Sequence, residues 1–113
     1  MGALNDLTAD LASTLTGQGL EVITDPRQLR PNVCLIEPPR VSGISGNLST
    51  VEWDVQICAQ PPGDDTAVAL LLDQVDIVIE AVPVTSATPG VFSSGGQDLP
   101  AYTCTVRQTI RRN

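Results

Sequence analysis

The stretch that most constrains the fold is STVEWDVQIC, residues 49–58, in which apolar and polar side chains alternate. The apolar positions are Val51, Trp53, Val55 and Ile57, and the polar positions between them are Glu52, Asp54 and Gln56. Such alternation is typical of a strand with one buried face, because successive side chains of a strand point to opposite faces. We therefore predict a strand over residues 49–60 that covers a core with one face and carries two carboxylates on the other.

A second alternating stretch, AYTCTVRQTIRR, closes the chain at residues 101–112. One face carries Tyr102, Cys104, Val106 and Ile110, and the other carries Thr103, Thr105, Arg107, Thr109 and Arg111. The polar face of this strand has arginines where the polar face of residues 49–60 has acids. If the two strands pair antiparallel, Glu52 or Asp54 lies opposite Arg107 or Arg111, a cross-strand contact worth about 0.2 to 1 kcal/mol.

Two segments have the spacing of helices. Residues 3–16 place leucines on one stripe and end at Gly17. Residues 67–82 place Asp73, Asp76 and Glu80 on one narrow stripe, with apolar residues around most of the remaining circumference. A helix with so little polar surface needs cover on more than one side, so we expect the sheet to supply one side and the first helix or a neighbouring subunit the rest.

The remaining segments are short or rich in turn residues. Residues 20–24 and 32–37 read as short strands, whereas the two prolines and two glycines of residues 38–48 predict an irregular loop. The turn PPGDDT offers Asp64 or Asp65 as a helix N-cap, and residues 84–100 predict irregular chain with a short strand near Val91. The expected fold is one α+β domain over residues 1–113, with a single mixed or antiparallel sheet of about four to five strands and two helices packed on one face.

Composition narrows the function. The chain of 113 residues has no histidine, which removes the commonest general base and metal ligand, and its net charge of −7 disfavours binding nucleic acid through phosphates. Glu52 and Asp54 lie about 7 Å apart along a strand, within the range of paired catalytic carboxylates. The 3% of aromatic residues would make a poor sugar platform, so we favour a solvated or interface role for the two acids. No catalytic, cofactor-binding or metal-binding residue is predicted.

Two further expectations concern the environment of the chain. We see no signal peptide and no apolar stretch long enough to span a membrane. The odd number of cysteines, Cys34, Cys58 and Cys104, favours reduced and unpaired thiols with a structural role.

The order of these segments resembles that of siphophage tail terminators of the lambda type, small α/β proteins that cap a completed tail tube. The resemblance is carried by LNDLTADLASTLTGQGLEVITDP, RPNVCLIEPP, TVEWDVQICAQPPGDDTAVALLLDQVDIVIEAV and DLPAYTCTVRQTI, which together span nearly the whole chain. It implies a homo-oligomeric ring, usually of six copies, at the head-proximal end of the virion tail and assembled in the host cytoplasm. Such a ring docks on the tail tube protein, stops tube polymerisation and offers a surface to the head–tail connector or stopper protein.

The resemblance leaves the acidic strand face with two possible uses. Glu52 and Asp54 either meet arginines of the next subunit, or line a lumen through which DNA passes without specific binding. Gln56, Arg107 and Arg111 complete the set of candidate interface or lumen residues. The alternative within the same class is a head-completion or stopper protein, or another minor protein of the tail neck. From another class, the alternative is a small acidic ligand-binding domain or enzyme that uses the carboxylate face.

Overall fold

The computed structural model describes residues 3–25, 27, 33–45, 48–59, 65–94 and 97–111. In chain order its elements are α1 (Ala3–Gly17), β1 (Val22–Ile23), β2 (Cys34–Ile36), β3 (Arg40–Ser45), β4 (Leu48–Cys58), α2 (Asp65–Ala81), β5 (Val84–Ser94) and β6 (Gln97–Arg111). The α+β class is confirmed, with a mixed sheet of six strands where about four to five were expected. Both long helices and both alternating strands lie where their periodicity predicts them.

The sheet is built around β4, which lies at its centre. The strand order is β1-β2-β4-β6-β5, and β3 pairs with the same edge of β4 as β2 does, further towards the start of β4. Only β1 and β2 pair in parallel, and the other neighbours are antiparallel. The segment between β2 and β3 stays against β4, because the Glu37 N–H donates to the Asp54 carbonyl at 3.0 Å.

The core lies between one face of the sheet and the two helices. Its buried members include Leu11 and Leu15 of α1, Leu71, Val75 and Val78 of α2, and Val51, Trp53, Val55 and Ile57 of β4. Trp53 is 1% exposed, and its Nε1–H donates to Thr8 Oγ1 at 2.9 Å. A smaller cluster of Ile23, Val33 and Leu35 is buried separately.

All three cysteines are free and buried, in agreement with the structural role expected for them. Burial raises the pKa of the Cys34 thiol to about 12 and the pKa values of Cys58 and Cys104 to about 11. The thiolate is the reactive form of cysteine, so these groups are inert in the folded protein.

The prediction of an irregular loop over residues 38–48 is wrong, because residues 40–45 form β3. Pro38 and Pro39 lie before the strand, where a missing N–H costs no ladder bond. Gly43 has a φ of 59°, and the register between β3 and β4 shifts between Ser42 and Ser45. The glycine therefore marks a bulge within a strand, which the sequence pattern alone did not distinguish from a loop break.

The prediction of mostly irregular chain over residues 84–100 is also wrong. β5 runs for 11 residues and pairs along its length with β6, which itself begins at Gln97. Pro89 is accommodated because β5 lies at the edge of the sheet, where one side of the strand needs no hydrogen-bond donors. The proposed N-cap Asp64 lies outside the described residues, and Asp65 is the first residue of α2.

The strands β5 and β6 extend beyond β4. The last β4 pair joins Cys58 to Ala101, and residues 91–94 and 97–100 pair with each other past that point. We call these residues the arm. The molecule is correspondingly elongated, with extents of 48 × 28 × 23 Å.

Candidate assembly surfaces

The face of the sheet that points away from the helices carries the predicted site residues of β4 and β6. In the register between these strands, Glu52 lies opposite Arg107, Asp54 opposite Thr105, and Gln56 opposite Thr103. The predicted cross-strand position of Glu52 and Arg107 is therefore confirmed. Arg111 follows on the same face by alternation, at the end of β6 and opposite Leu48.

Asp54 is neutralised within the chain by a residue that sequence reasoning missed. Arg40 Nη1 donates to Asp54 Oδ2 at 2.7 Å, Arg40 Nη2 donates to Oδ1 at 3.3 Å, and Thr105 Oγ1 donates to Oδ1 at 3.2 Å. The hydrogen bond from Arg40 is the largest cause of a lowered pKa for Asp54, and partial burial opposes it. Asp54 is therefore ionised at neutral pH, and its carboxylate is already hydrogen-bonded by Arg40 and Thr105 of its own chain.

Gln56 also serves the chain itself. Its side chain is only 7% exposed, its Nε2 donates to Glu37 Oε1 at 2.8 Å, and its Oε1 accepts from Thr103 Oγ1 at 2.8 Å. A carboxylate can only accept a hydrogen bond, so the contact to Glu37 fixes which end of the amide is the nitrogen. Both ends of the Gln56 amide are used, which fits its burial on a polar face.

Glu52, Arg107 and Arg111 remain as charged groups available to a partner. Although Glu52 and Arg107 are opposite each other, no ion pair joins them, and neither arginine pairs with an acid within the described part of the chain. Arg107 and Arg111 are exposed, and Glu52 is half-buried. Of the five predicted residues, these three therefore have the geometry of a contact surface.

The charges on this face balance, whereas those of the helices do not. Glu37, Glu52 and Asp54 share the polar face with the same number of arginines, namely Arg40, Arg107 and Arg111. The two helices, in contrast, contain six acidic residues and no basic residue. The negative charge of the protein is thus concentrated on the helical layer. It is not concentrated on the polar face of β4, where the sequence pattern predicted an acidic surface.

The second helix leaves a row of apolar side chains in solvent. Val68, Leu72 and Ile79 lie on one flank of α2 and are 40%, 43% and 46% exposed. Asp76 and Glu80 are exposed beside them. The expectation that this helix needs cover from more than the sheet is therefore met only in part, because the described residues of a single copy leave this flank uncovered.

A cavity of about 310 Å³ opens between α1 and the end of α2. Its lining includes Leu7, Leu11, Trp53, Val82 and Val106, with Asp10, Thr14 and Gln108 among its polar members. The volume is at the lower end of the range of ligand pockets, roughly 300–1,000 Å³. The cavity lies on the helical side of the sheet, away from Glu52 and Asp54, so it does not join those acids into a pocket.

Sequence reasoning missed Arg40, the arm and the cavity. Arg40 was missed because residues 38–48 were read as a loop, although Arg40 and Ser42 alternate with Val41 as strand residues do. The arm was missed because its residues are small and turn-rich. The cavity depends on the packing of two helices against β4 and β6, and no local sequence pattern specifies it.

No group of three or more potential metal-ligating side chains occurs among the described residues. Within the same residues, no helix is long and apolar enough to cross a membrane. No protein-family model matches the chain, and no curated protein gives a significant sequence match to it.

Proposed function

We propose that this protein is a structural subunit of a siphophage tail, the terminator that caps the completed tube as a ring of usually six copies. In this role it stops polymerisation of the tail tube protein and provides the surface on which the head–tail connector or stopper protein docks. The order of its segments supports the proposal through the resemblance described above. The observation that carries it is the uncovered apolar surface on the flank of α2, together with the exposed Val91 of the arm.

Exposed apolar side chains are informative here because they are grouped. Val68, Leu72 and Ile79 form one row, and Val91 of the arm is 68% exposed. Single exposed apolar residues are normal on soluble proteins, whereas contiguous groups mark interaction sites. A protein that works only within an assembly has a physical reason to keep such groups, because partner subunits cover them.

The distribution of charge fits the same role. The balanced face with Glu52, Arg107 and Arg111 suits a contact between subunits, since opposite charges on one surface fix the register of a partner. The helical layer, with its six acids, suits a wall beside DNA, because like charge keeps the phosphate backbone from binding. This assignment favours the interface use of Glu52 and moves the DNA-repelling role to the helices.

The ligand-binding or enzymatic alternative gains no support from the carboxylate face. It requires a concave pocket beside Glu52 and Asp54 and a carboxylate whose pKa is raised. The pKa of Asp54 is instead lowered by its hydrogen bonds with Arg40. The described cavity lies on the other side of the sheet.

The test is negative-stain microscopy of a phage lysate in which this gene is disabled. We expect heads without tails, together with tubes of abnormal length, because nothing then stops tube polymerisation. Heads that have lost DNA beside separate tails of normal length would point to the stopper alternative. Normal tails on DNA-filled heads would contradict both assembly roles.

A further inference from the structure

The exposed apolar row of α2 lies on the flank of the helix that faces the β5 edge of the sheet. The row consists of Val68, Leu72 and Ile79. Ala81 follows Ile79 by two residues, about 200° further round the helix, and lines the cavity beside α1. The row is therefore on the side of α2 that points away from α1. Since α1 contacts β1 and α2 contacts β5, at opposite ends of the strand order, the row lies beside the β5 edge.

The strand β5 continues the apolar surface below this row. Only two residues separate Ala81, where α2 ends, from Val84, where β5 begins, so the strand returns along the helix. Ala87 lies opposite the core residue Cys104 and packs against the core. Val91 is on the same face by alternation and is 68% exposed. We call the row of α2, together with Ala87 and Val91, the edge surface.

A line of acids borders the edge surface on its solvent side. Asp73, Asp76 and Glu80 are exposed, and at 3.6 residues per turn they follow the row round the helix in the direction away from the core. None of the three forms an ion pair within the described part of the chain. The two helices contain no basic residue. A partner that matches both features carries an apolar stripe with basic groups beside it.

Two observations favour a helix of another protein over a strand or a second copy. A further strand could join the outer edge of β5, but Pro89 has no N–H and removes a donor from that edge. Two copies that met through this surface would bring their acids together, which like charge opposes. An amphipathic helix buries its apolar stripe without using the edge of the strand, and its basic groups reach the acids of α2.

We propose that the edge surface binds a basic amphipathic helix of a neighbouring protein, with Leu72 in the apolar contact and the three acids of α2 pairing with the basic groups. The inference rests on the proposed function for the source of the helix, a protein of the phage tail or neck, whereas its chemistry follows from the surface. Because α1 lies on the other side of α2, the acids of α1, among them Asp6, take no part and remain for the wall beside DNA.

The experiment measures the binding of synthetic peptides to the whole protein by fluorescence anisotropy. The probe is a labelled peptide of leucine and lysine whose leucines recur at helical spacing. One control peptide has glutamate in place of lysine, and another alternates leucine with lysine, which gives the period of a strand. Leu72→Gln tests the row. Leu70→Gln is its matched control, because Leu70 is 45% exposed against 43% for Leu72 but lies about 160° away round α2.

We expect the helical lysine peptide to bind most tightly, and Leu72→Gln to weaken its binding at least about fivefold, as loss of a packed interface side chain does. Leu70→Gln should change the binding less than about twofold. At low salt, Asp76→Asn should weaken the binding and Asp6→Asn should not, although both remove one negative charge. Should Leu72→Gln fail to fold in a urea titration, Ile79→Gln, in the same row, takes its place.

Four results would overturn the proposal. These are equal losses for Leu72→Gln and Leu70→Gln, no saturable binding of the helical lysine peptide, tighter binding of the alternating peptide, which indicates strand addition to β5, and a wild-type dimer that Leu72→Gln dissociates, which indicates a second copy. The proposed function is tested separately. Binding as expected, in a protein whose loss leaves tails normal, would keep the docking surface and remove the terminator role, and tubes of abnormal length without peptide binding would do the reverse.

Discussion

At the scale of single residues, the ion pair between Arg40 and Asp54 makes a specific prediction about pH. The pKa of Asp54 is lowered from its usual value of 3.8, so the pair stabilises the fold above that value and the contribution is lost as pH falls through the lower, folded-state pKa. Arg40 is exposed and solvent screens the pair, so we expect Arg40→Gln to reduce the free energy of unfolding only slightly at neutral pH.

Urea titrations of the wild type and of Arg40→Gln, from neutral pH down to below pH 3.8, measure this difference. We expect it to shrink as Asp54 becomes protonated. The control is Arg107→Gln, which removes an arginine of the same face that has no ion-pair partner in the described residues. A difference for Arg40→Gln that grows at acid pH would contradict the assignment.

The hydrogen bond between Trp53 and Thr8 makes a second prediction at this scale. Thr8→Val removes the acceptor of the buried indole N–H, and an unpaired buried donor costs about 1 to 3 kcal/mol. Thr16→Val is the control. The hydroxyls of Thr8 and Thr16 each donate to the carbonyl four residues earlier, but only the Thr8 hydroxyl also accepts a hydrogen bond from Trp53. Trp53 is the only tryptophan, so its fluorescence reports urea unfolding of both variants. Equal losses of stability would show that the indole bond contributes nothing.

At the scale of elements, the bulge in β3 depends on one glycine. The backbone at Gly43 is left-handed, a conformation that residues with a side chain rarely adopt, and an added Cβ would lie 3.2 Å from Thr50 Oγ1. We therefore expect Gly43→Ala to lower the free energy of unfolding by about 1 to 2 kcal/mol. Gly90→Ala is the control, because no atom lies within 4 Å of the added Cβ and its backbone is not left-handed. Thermal unfolding measures both, and a Gly90→Ala loss as large as that of Gly43→Ala would contradict the argument.

The same elements show how far the sequence could predict this fold. The core strands and helices were predictable because their residues carry a clear period, as Val51, Trp53, Val55 and Ile57 do in β4. The strands β3 and β5 were not, because edge strands tolerate the glycine, proline and serine that otherwise indicate loops. Alternation predicted that the acids of β4 and the arginines of β6 share one face, but only the register shows that Glu52 is the acid opposite Arg107. The pairing of Asp54 with Arg40 depends on β3, so it could not be predicted once residues 38–48 were interpreted as a loop.

At the scale of the whole molecule, the separation of charge between the sheet and the helices allows the assembly role of Glu52 to be tested. Glu52 lies on the balanced face and has no ion pair with Arg107, whereas Asp6 is an exposed acid on the helical layer. Glu52→Arg and Asp6→Arg make the same change in net charge on the two different layers. If the sheet face forms the contact between subunits, only the reversal at Glu52 juxtaposes like charges across that contact, which costs several kcal/mol.

We expect a phage that lacks this gene to be restored by wild-type protein and by Asp6→Arg, but to show overlong or unjoined tails with Glu52→Arg. Urea unfolding of each variant checks that the fold is intact. Full restoration by Glu52→Arg would remove Glu52 from the subunit contact. A different result would be that only Asp6→Arg fails, with tails of normal length but reduced infectivity. The negative charge of the helical layer would then be the charge that matters, as expected of a wall beside DNA.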